Sequence, residues 1–268
     1  MFSFCKMQGT GNDFVMIDCM ENQFEYSLPI LANYLCDRHY GVGADGIILM
    51  DKSDKADFKM RIFNHDGTEA EMCGNGIRCV AKYVFEKNKI DKTEFSIETL
   101  AGIKKIKLEL ENKKVIAITV NMGEPEWDNL KYIIEIDEKQ YQVYPISMGN
   151  PHAVCFVKNV DEFEVEKIGS ILEHYKYFPK QTNVEFVQIL DKKNIKVRVW
   201  ERGVGETNSC GTGVCASCMI AMNEKFTDND VMVELKGGKL QVCYDKVENM
   251  VSLKGPAELV FEGNIEIM

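Results

Sequence analysis

The amino-acid sequence contains an internal repeat, and a duplication restricts the possible architectures more than any other feature of this chain. When residues 59–76 are placed over residues 196–213, six of the eighteen positions are identical, and Cys73 falls on Cys210. Two further stretches match at nearly the same offset of about 137 residues: Gly11-Asn12 with Gly149-Asn150, and Phe95–Glu98 with Val231–Glu234. The chain is therefore predicted to fold as two copies of one unit.

Strands and hairpins are predicted at equivalent places in both copies. Apolar and polar residues alternate at positions 59–63 and 195–200, which is typical of half-buried strands. Glycine-containing turns at Gly102 and Gly238 each follow such a strand and predict hairpins. Each copy is therefore expected to contain a mainly antiparallel sheet.

Two helices are predicted in each copy. Helical spacing indicates one helix at about residues 27 to 39, with Ser27 as its cap, and its counterpart at about residues 161 to 175. The second helix of each copy begins at a Cys-Gly-x-Gly element, at Cys73 and at Cys210. Hairpins around a helix favour the α+β class, with the sheet of each domain wrapped around a central helix.

The repeat also predicts the domain boundaries. The first domain is expected to contain residues 1–118 together with a returning C-terminal segment, residues 257–268. The second is expected to contain residues 119–256. Two pseudosymmetric domains of this kind are expected to hold the active site in the cleft between them, because two copies of one motif can face each other there.

Length and composition describe an ordinary globular protein. The 268 residues are 45% hydrophobic and 28% charged, and no apolar run reaches the length of a membrane-spanning helix. The first residues lack the pattern of a secretory signal, so we expect a cytoplasmic location. A net charge of −10 without long basic runs argues against nucleic acid and anionic membranes as partners.

Ten cysteines are present, and most are expected to be free thiols because a cytoplasmic chain of this length does not need disulfides. Only Cys73 and Cys210 stand in a motif that predicts chemistry. The other eight are interpreted as packing residues: Cys5, Cys19, Cys36, Cys79, Cys155, Cys215, Cys218 and Cys243.

Cys73 and Cys210 each precede Gly-x-Gly at a predicted helix start. The free N–H groups and the positive dipole end of a helix stabilise a thiolate and attract a carboxylate. Glycines let a ligand approach the backbone closely. Two such thiols on either side of a carbon next to a bound carboxylate suit removal of a proton from one face and its return to the other. This chemistry inverts that carbon and needs neither a cofactor nor a metal.

Three other patterns carry less weight. The segment 41–46 fits a dinucleotide-binding pattern but lies between a predicted helix and a following strand, the reverse of the required order. Cys215 and Cys218 form a C-x-x-C that no second metal-binding element completes, so core packing is favoured. Glu69 and Glu206 match across the repeat and are interpreted as backbone caps or substrate contacts.

Five motifs strongly resemble the diaminopimelate epimerase family in order and spacing, over a stretch from about Phe4 to the C-terminus. They are Gly11–Phe14, Asn64–Cys79, Met148–His152, Asn183–Phe186 and Glu201–Gly213. The resemblance implies a cofactor-independent, two-base interconversion of LL- and meso-diaminopimelate, which serves lysine and peptidoglycan biosynthesis. It also implies two pseudosymmetric α+β domains, a small-molecule substrate and a homodimer.

The resemblance assigns roles residue by residue. Cys73 and Cys210 match the two catalytic thiols, and His152 and Glu201 match residues that tune those thiols in the family. The substrate-binding positions are Asn12, Asn64, Gly74, Asn75, Asn150, Asn183, Glu201, Arg202, Gly211 and Thr212. Chemically, Glu201 can accept from an ammonium group, and Arg202 can grip a carboxylate as a planar fork.

Three positions depart from the family pattern, one of them Ser209 in place of a common Ala before the second cysteine, and two other functions stay open. Gly46 stands where many members have Gln, and Phe261 stands where some have Tyr at the dimer contact. A proline racemase or hydroxyproline epimerase of the same fold would share the two thiols, although the asparagines and Glu201 favour a longer substrate with two charged ends. A non-enzymatic binding or redox module would instead use Cys73 and Cys210 as a reversible disulfide.

Overall fold

The protein was analysed as a computed structural model that describes residues 2–22 and 26–266. The chain divides into two compact units, one formed by residues 1–120 with 255–268 and the other by residues 121–254. The described part contains eighteen strands and four helices. None of the helices in that part has the length and hydrophobicity of a transmembrane segment.

The first unit contains two helices, and its last strand comes from the C-terminal end of the chain. Its elements are β1 (Phe2–Gly9), β2 (Asn12–Asp18), α1 (Leu28–Cys36), β3 (Gly46–Asp51), β4 (Phe58–Asn64), β5 (Glu69–Ala70), α2 (Gly74–Glu86), β6 (Glu94–Thr99), β7 (Gly102–Glu111), β8 (Lys114–Gly123) and β18 (Glu258–Ile265). Strand β8 runs on past the unit boundary at residue 120.

From β10 to β17, the second unit repeats the order of β1 to β8, and β9 precedes this block. Its elements are β9 (Tyr132–Ile136), β10 (Lys139–Ser147), β11 (Pro151–Phe156), α3 (Val165–Glu173), β12 (Asn183–Ile189), β13 (Asn194–Glu201), β14 (Gly205–Thr207), α4 (Gly211–Asn223), β15 (Asp230–Leu235), β16 (Gly238–Asp245) and β17 (Met250–Gly255).

The two units also share one pattern of strand pairing. In the first, β2 with β3 and β4 with β6 are parallel, and the other pairs are antiparallel. In the second, β11 with β12 and β13 with β15 are the parallel pairs. Strand β18 pairs with β1 in the way that β9 pairs with β10. The predicted α+β class with mainly antiparallel sheets is confirmed.

A central helix packs against the strands of each unit. Helix α2 contacts β1, β2 and β4, α4 contacts β10, β11, β12 and β13, and nearly all residues in the first three turns of both helices are buried. A helix buried on every side can carry a polar residue only if that residue is satisfied internally. The fully buried Arg78 meets this condition by donating to the carbonyls of Gly74 and Pro256 and to the side chains of Thr10 and Asn75.

Helix α1 differs from its prediction at both ends. It ends at Cys36 rather than near His39, because the carboxylate of Asp37 accepts from the backbone N–H groups of His39 and Tyr40 and turns the chain. Ser27 occupies the N-cap position, but its side chain makes no capping hydrogen bond within the described residues. The prediction that Ser27 caps this helix was therefore wrong.

The other helices show which boundary signals are strong. Both central helices begin directly after their cysteines, as the Cys-Gly-x-Gly pattern predicted. Helix α3 begins at Val165 rather than near residue 161, because tight turns at Val160 to Phe163 and Phe163 to Val165 precede it. The apolar spacing predicted the helix correctly but not its first residue.

The cysteines separate into buried, partly buried and exposed thiols, and all ten are free. Six of the eight that were interpreted as packing residues are buried: Cys5, Cys36, Cys79, Cys155, Cys215 and Cys218. Cys19 is only partly buried, and Cys243 is exposed. The interpretation was wrong for Cys243, because it occupies a solvent-facing position of the alternating strand β16.

Candidate active site

The first thiol cluster consists of Cys73, Gly74, Asn75 and Asn12. Cys73 is the N-cap residue of α2, and its Sγ accepts from the backbone N–H of Gly76 at 3.4 Å. The same Sγ lies 3.6 Å from Oδ1 of Asn12, which also accepts from Nδ2 of Asn75 at 3.3 Å. A partly exposed thiol therefore stands at a helix N-terminus beside neutral amide groups.

A charged network fixes the orientation of Asn12. Its Nδ2 donates to Asp45 at 2.7 Å, which leaves Oδ1 facing the thiol. Arg38 bridges Asp45 and Asp13, at 2.9 Å to each carboxylate, and Nζ of Lys6 lies 2.6 Å from Asp13. Burial alone would raise the pKa of Asp13, but hydrogen bonds from Arg38 and Lys6 outweigh burial and lower that pKa to about 2.

Asn64 and Gly46 lie opposite each other on β4 and β3. Asn64 is exposed, and its amide donates to Oγ1 of Thr68 at 3.0 Å, so within the described residues it bonds in its own turn and not to Asn12. A Cβ at Gly46 would stand 2.6 Å from the backbone oxygen of Phe63. The Gln of other family members therefore does not fit at position 46 unless the backbone moves.

The second thiol cluster consists of Cys210, Gly211, Thr212, Asn150, His152 and Glu201. Cys210 is the N-cap residue of α4 and is only 7% exposed. Its Sγ lies 3.4 Å from Oγ1 of Thr212, which accepts from Nδ2 of Asn150 at 3.4 Å. Burial raises the pKa of the Cys210 thiol well above its usual range, and the carboxylates of Glu201 and Glu185 raise it further.

Glu201 is the last residue of β13, and its carboxylate accepts a hydrogen bond from the Cys210 thiol. Its Oε1 accepts from Oγ1 of Thr207 at 2.5 Å. Burial raises the pKa of Glu201, whereas hydrogen bonds from Thr207 and Cys210 act against that increase. Glu201, for which the resemblance implies a role in tuning the thiols, therefore lies beside Cys210.

His152 belongs to a fully buried chain of polar groups. Its Nδ1 lies 2.7 Å from Oε1 of Glu185, and both side chains have 0% exposure. Its Nε2 lies 3.0 Å from Oδ1 of Asn150. His152 is thus linked to Cys210 through Asn150 and Thr212.

The side chain of Asn183 fixes the backbone position of Arg202 through a hydrogen bond. Its Nδ2 donates to the carbonyl of Pro151 at 2.9 Å, and its Oδ1 accepts from the backbone N–H of Arg202 at 3.0 Å. The guanidinium of Arg202 is exposed and donates to the carbonyl of Lys180 at 3.3 Å. Asn183 therefore positions Arg202, and the guanidinium fork stays accessible to an anionic ligand.

Glu185 and Thr207 belong to the second cluster, but sequence reasoning gave neither a role. Glu185 did carry a signal, because it is a charged residue between Val184 and Phe186 on a strand whose first five residues are all buried. An isolated buried carboxylate is costly, so its presence on such a strand indicates a partner. Thr207 carried no comparable signal.

Glu69 and Glu206 form a matched pair of ion pairs instead of capping the backbone. Arg61 donates to both oxygens of Glu69 at 2.6 and 2.9 Å, and Arg198 does the same to Glu206 at 2.6 and 3.0 Å. The interpretation of these residues as backbone caps was wrong. Their equivalent geometry in the two units shows that the repeat preserves side-chain contacts as well as topology.

Each cluster combines a thiol with open helix N–H groups, which can hold an anion while the thiol takes or gives a proton. The carboxylates of Glu201 and Glu185 raise the pKa of the second thiol. Within residues 2–22 and 26–266, no three or more His, Cys, Asp or Glu side chains are grouped to hold a metal ion. The thiol of each cluster can act as a base or as an acid in proton transfer.

Comparison with protein families gives a match that spans most of the chain. The profile of the family described as diaminopimelate epimerase matches residues 4–127 and 144–260. A diaminopimelate epimerase of Methanococcus maripaludis is 45% identical and covers 98% of this chain and 99% of its own length. The enzyme of Agathobacter rectalis is 48% identical over 99% of each chain, and that of Acetivibrio thermocellus is 46% identical over 98% of each.

Solved structures of low sequence identity share the fold. A probable proline racemase from Agrobacterium radiobacter superposes with a TM-score of 0.79 at 12% identity, covering 100% of this chain and 94% of its own. A hydroxyproline epimerase from Agrobacterium vitis gives 0.77 at 14% identity, covering 97% and 91%. A phenazine biosynthesis protein from Bacillus anthracis gives 0.76 at 19% identity, covering 99% of both.

Proposed function

Because this chain belongs to the diaminopimelate epimerase family, we propose that it interconverts LL- and meso-diaminopimelate without a cofactor. The observation that carries the proposal is the pair Cys73 and Cys210, two thiols at equivalent helix starts of a duplicated unit. The reaction inverts one α-carbon of the substrate and serves lysine and peptidoglycan biosynthesis.

In the proposed reaction, one thiol acts as a thiolate base and the other as an acid. The thiolate of Cys73 removes the proton from Cα, and the electron pair of the broken C–H bond spreads onto Cα and its carboxylate. Cys210 gives its S–H proton to the opposite face of the same carbon. The thiolate then resides on Cys210, and the reverse reaction starts from that state.

The helix starts supply charge stabilisation in this mechanism. The N–H groups at Gly74, Asn75, Gly211 and Thr212 would bind the carboxylate next to the reacting carbon, where negative charge builds up as the proton leaves. Backbone dipoles that are already oriented need no rearrangement at that moment.

The remaining polar residues suit the distal, non-reacting end of the substrate. The exposed guanidinium of Arg202 would bind its carboxylate. Glu201, which lies beside the Cys210 thiol, would accept from a substrate ammonium group. Neutral donors and acceptors come from the four asparagines Asn12, Asn64, Asn150 and Asn183. A substrate with two amino-acid ends makes use of all of these groups.

Isotope exchange tests the substrate and the reaction together. In D₂O, LL-diaminopimelate incubated with the protein should gain one deuterium at one Cα as the meso isomer appears, which mass spectrometry and NMR detect. Proline and hydroxyproline should not exchange. Exchange of proline but not of diaminopimelate would establish the proline racemase alternative, and exchange of neither would leave the redox or binding module.

We further propose that the enzyme is a cytoplasmic homodimer. Strand β18 presents three consecutive, substantially exposed apolar residues, Leu259, Val260 and Phe261, and Phe261 packs edge-on against Phe4 at a centroid distance of 6.0 Å. Analytical ultracentrifugation should give twice the chain mass for the parent and the chain mass for Val260→Asp. A monomeric parent would contradict the dimer, and enzyme activity in a periplasmic or secreted fraction would contradict the location.

A further inference from the structure

When the two copies of the repeat are aligned, three ionisable residues in or near the second thiol cluster match three uncharged residues of the first unit. The pairs are His152 over Phe14, Glu185 over Ile48 and Glu201 over Asn64, at offsets of 138 or 137. The strand register supports this alignment, because Phe14 pairs with Gly46 between β2 and β3 as His152 pairs with Asn183 between β11 and β12. The duplication has therefore kept the two thiols but not their surroundings.

One of these three differences, Glu185 in place of Ile48, lies directly beneath the first turn of the central helix in each unit. A Cβ at Gly76 would stand 2.9 Å from Cδ1 of Ile48, and a Cβ at the equivalent Gly213 would stand 2.5 Å from Oε1 of Glu185. Both Ile48 and Glu185 have 0% exposure. The first turn of α2 thus rests on a hydrocarbon side chain, whereas the first turn of α4 rests on a buried carboxyl group.

The hydrogen bonds of His152 and Glu185 define how many protons this buried pair holds. Because Asn150 donates through Nδ2 to Thr212, its Oδ1 faces His152, and an amide oxygen only accepts. His152 therefore carries a hydrogen on Nε2, and the 2.7 Å contact between its Nδ1 and Glu185 shares one further proton. The pair is neutral as a whole, with its carboxylate end beneath α4 and its imidazole on the far side.

Oε2 of Glu185 has no hydrogen-bond partner among the described residues. A fully buried carboxylate oxygen without a partner is costly, and such groups are kept where they have a functional role. Burial raises the pKa of the Cys210 thiol at the start of α4, and the carboxylates of Glu201 and Glu185 raise it further.

The other ionisable groups around α4 are either already described or distant from its first turn. Glu201 on β13 and His152 on β11 face Cys210, and Cys215 and Cys218 lie further along the helix. On β10, Tyr144 donates to Glu224 at the opposite end of α4. On β16, Lys239, Cys243 and Asp245 are exposed.

We propose that Glu185 is a positioning residue that keeps the proton on Cys210, so that Cys73 is the more readily ionised thiol of the pair. The inference rests on the proposed function and deepens it: a two-base enzyme needs one thiol and one thiolate, and unlike surroundings of the two thiols determine which of them holds the proton at rest. Glu185, held by His152, places the negative end of this neutral pair beneath one helix start, and the hydrocarbon side chain of Ile48 lies beneath the other.

Titration of the individual thiols by ¹³C NMR tests this role independently of turnover. The protein is labelled at Cβ of cysteine, and Cys73→Ser and Cys210→Ser variants assign the two signals. In the parent protein, Cys73 should lose its proton at lower pH than Cys210. In Glu185→Gln, which keeps the shape and can donate to Nδ1 of His152, the Cys210 midpoint should fall by about one pH unit while that of Cys73 stays in place.

A control and a second variant make the test specific. Glu173→Gln alters another buried carboxylate of the same unit, which accepts from Trp200 and the backbone of Gly203, and should leave the Cys210 midpoint unchanged. The double variant His152→Phe with Glu185→Ile installs the first unit's own apolar pair, should fold as judged by circular dichroism, and should also lower the Cys210 midpoint.

The outcomes distinguish this inference from the proposed function. A Cys210 midpoint that stays unchanged in both variants would overturn the role of Glu185, as would an equal shift at Cys73. A parent in which Cys210 ionises at lower pH than Cys73 would overturn it as well. Absence of isotope exchange with diaminopimelate would contradict the function only, because the thiol titration requires no substrate.

Discussion

Sγ of Cys73 lies 3.6 Å from Oδ1 of Asn12, and the orientation of that amide is set from its far side by Asp45. The thiol therefore meets an acceptor without charge. Because the contact is neutral, ionisation of Cys73 does not bring two negative charges together. The charged network behind Asn12 thus sets which amide atom faces the thiol.

Asn12→Asp should lower activity strongly at neutral pH. The new carboxylate would face Asp45 on one side and disfavour a thiolate at Cys73 on the other, so the acid limb of the kcat/KM profile should move to higher pH. We expect kcat/KM at pH 7 to fall by at least about 10²-fold, the lower end of what a misplaced general base costs.

A matched control exists on the surface of the second unit. Asn249 also donates to a carboxylate, that of Glu124, at 3.0 Å, so Asn249→Asp introduces the same local repulsion away from both thiols. It should keep parent activity. An Asn12→Asp enzyme with an unshifted acid limb would show that Asn12 does not influence Cys73.

Asp13 should make stability depend on pH in the acid range. Its pKa is about 2 in the folded protein against an ordinary 3.8. Since a lowered pKa stabilises the fold above the ordinary value, this contribution of about 2 kcal/mol should be complete above pH ~4 and be lost as the pH falls towards 2. Urea denaturation across this range should show the difference between parent and Asp13→Asn shrinking as the pH falls.

The comparison needs a surface carboxylate as a control. Asp54 is exposed, and Asp54→Asn should follow the parent curve. A stability difference between parent and Asp13→Asn that stays constant from pH 5 to pH 2.5 would contradict the stabilisation of the Asp13 carboxylate by Lys6 and Arg38.

The two equivalent ion pairs should contribute unequally to stability. Arg198 is 14% exposed and also donates to the carbonyls of Val160 and Phe163. Arg198→Ala should cost about 3 kcal/mol, because both carbonyls lose their donor and Glu206 keeps only its ion pair with Lys236. Arg61 is 38% exposed, and Arg61→Ala should cost about 1 kcal/mol or less.

Urea denaturation at pH 7 measures both variants under one set of conditions. The paired variants control for each other, because each removes an arginine from the same position of the repeat. An equal or larger loss in Arg61→Ala would show that burial does not determine the contribution of these pairs.

The repeat made much of the fold predictable, because a duplication in sequence implies a duplication of strand order and pairing. The starts of α2 and α4 were predicted because glycines after a cysteine are a strong local signal. The ends of α1 and α3 were not, because single polar contacts and tight turns determine them, as the Asp37 carboxylate does. Cys243 shows a further limit, since composition does not tell which face of a strand a residue occupies.

The same contrast holds for the candidate site. The cysteines and the residues next to them could be found from their motifs. The buried link from His152 to Glu185 could not, because it joins two strands and becomes visible only when they are paired. The alignment of the two copies nevertheless gave a signal for this link, because His152 and Glu185 align with the apolar residues Phe14 and Ile48.

The central claim is that one thiol from each copy of the repeat acts on the same α-carbon. The most direct measurement is solvent deuterium exchange and epimerisation of LL-diaminopimelate by the parent, Cys73→Ala and Cys210→Ala, with the exposed Cys243→Ala as a control. The account predicts one deuterium at one Cα for the parent and the control, and loss of epimerisation in both active-site variants. Either active-site variant working at the parent rate would contradict it.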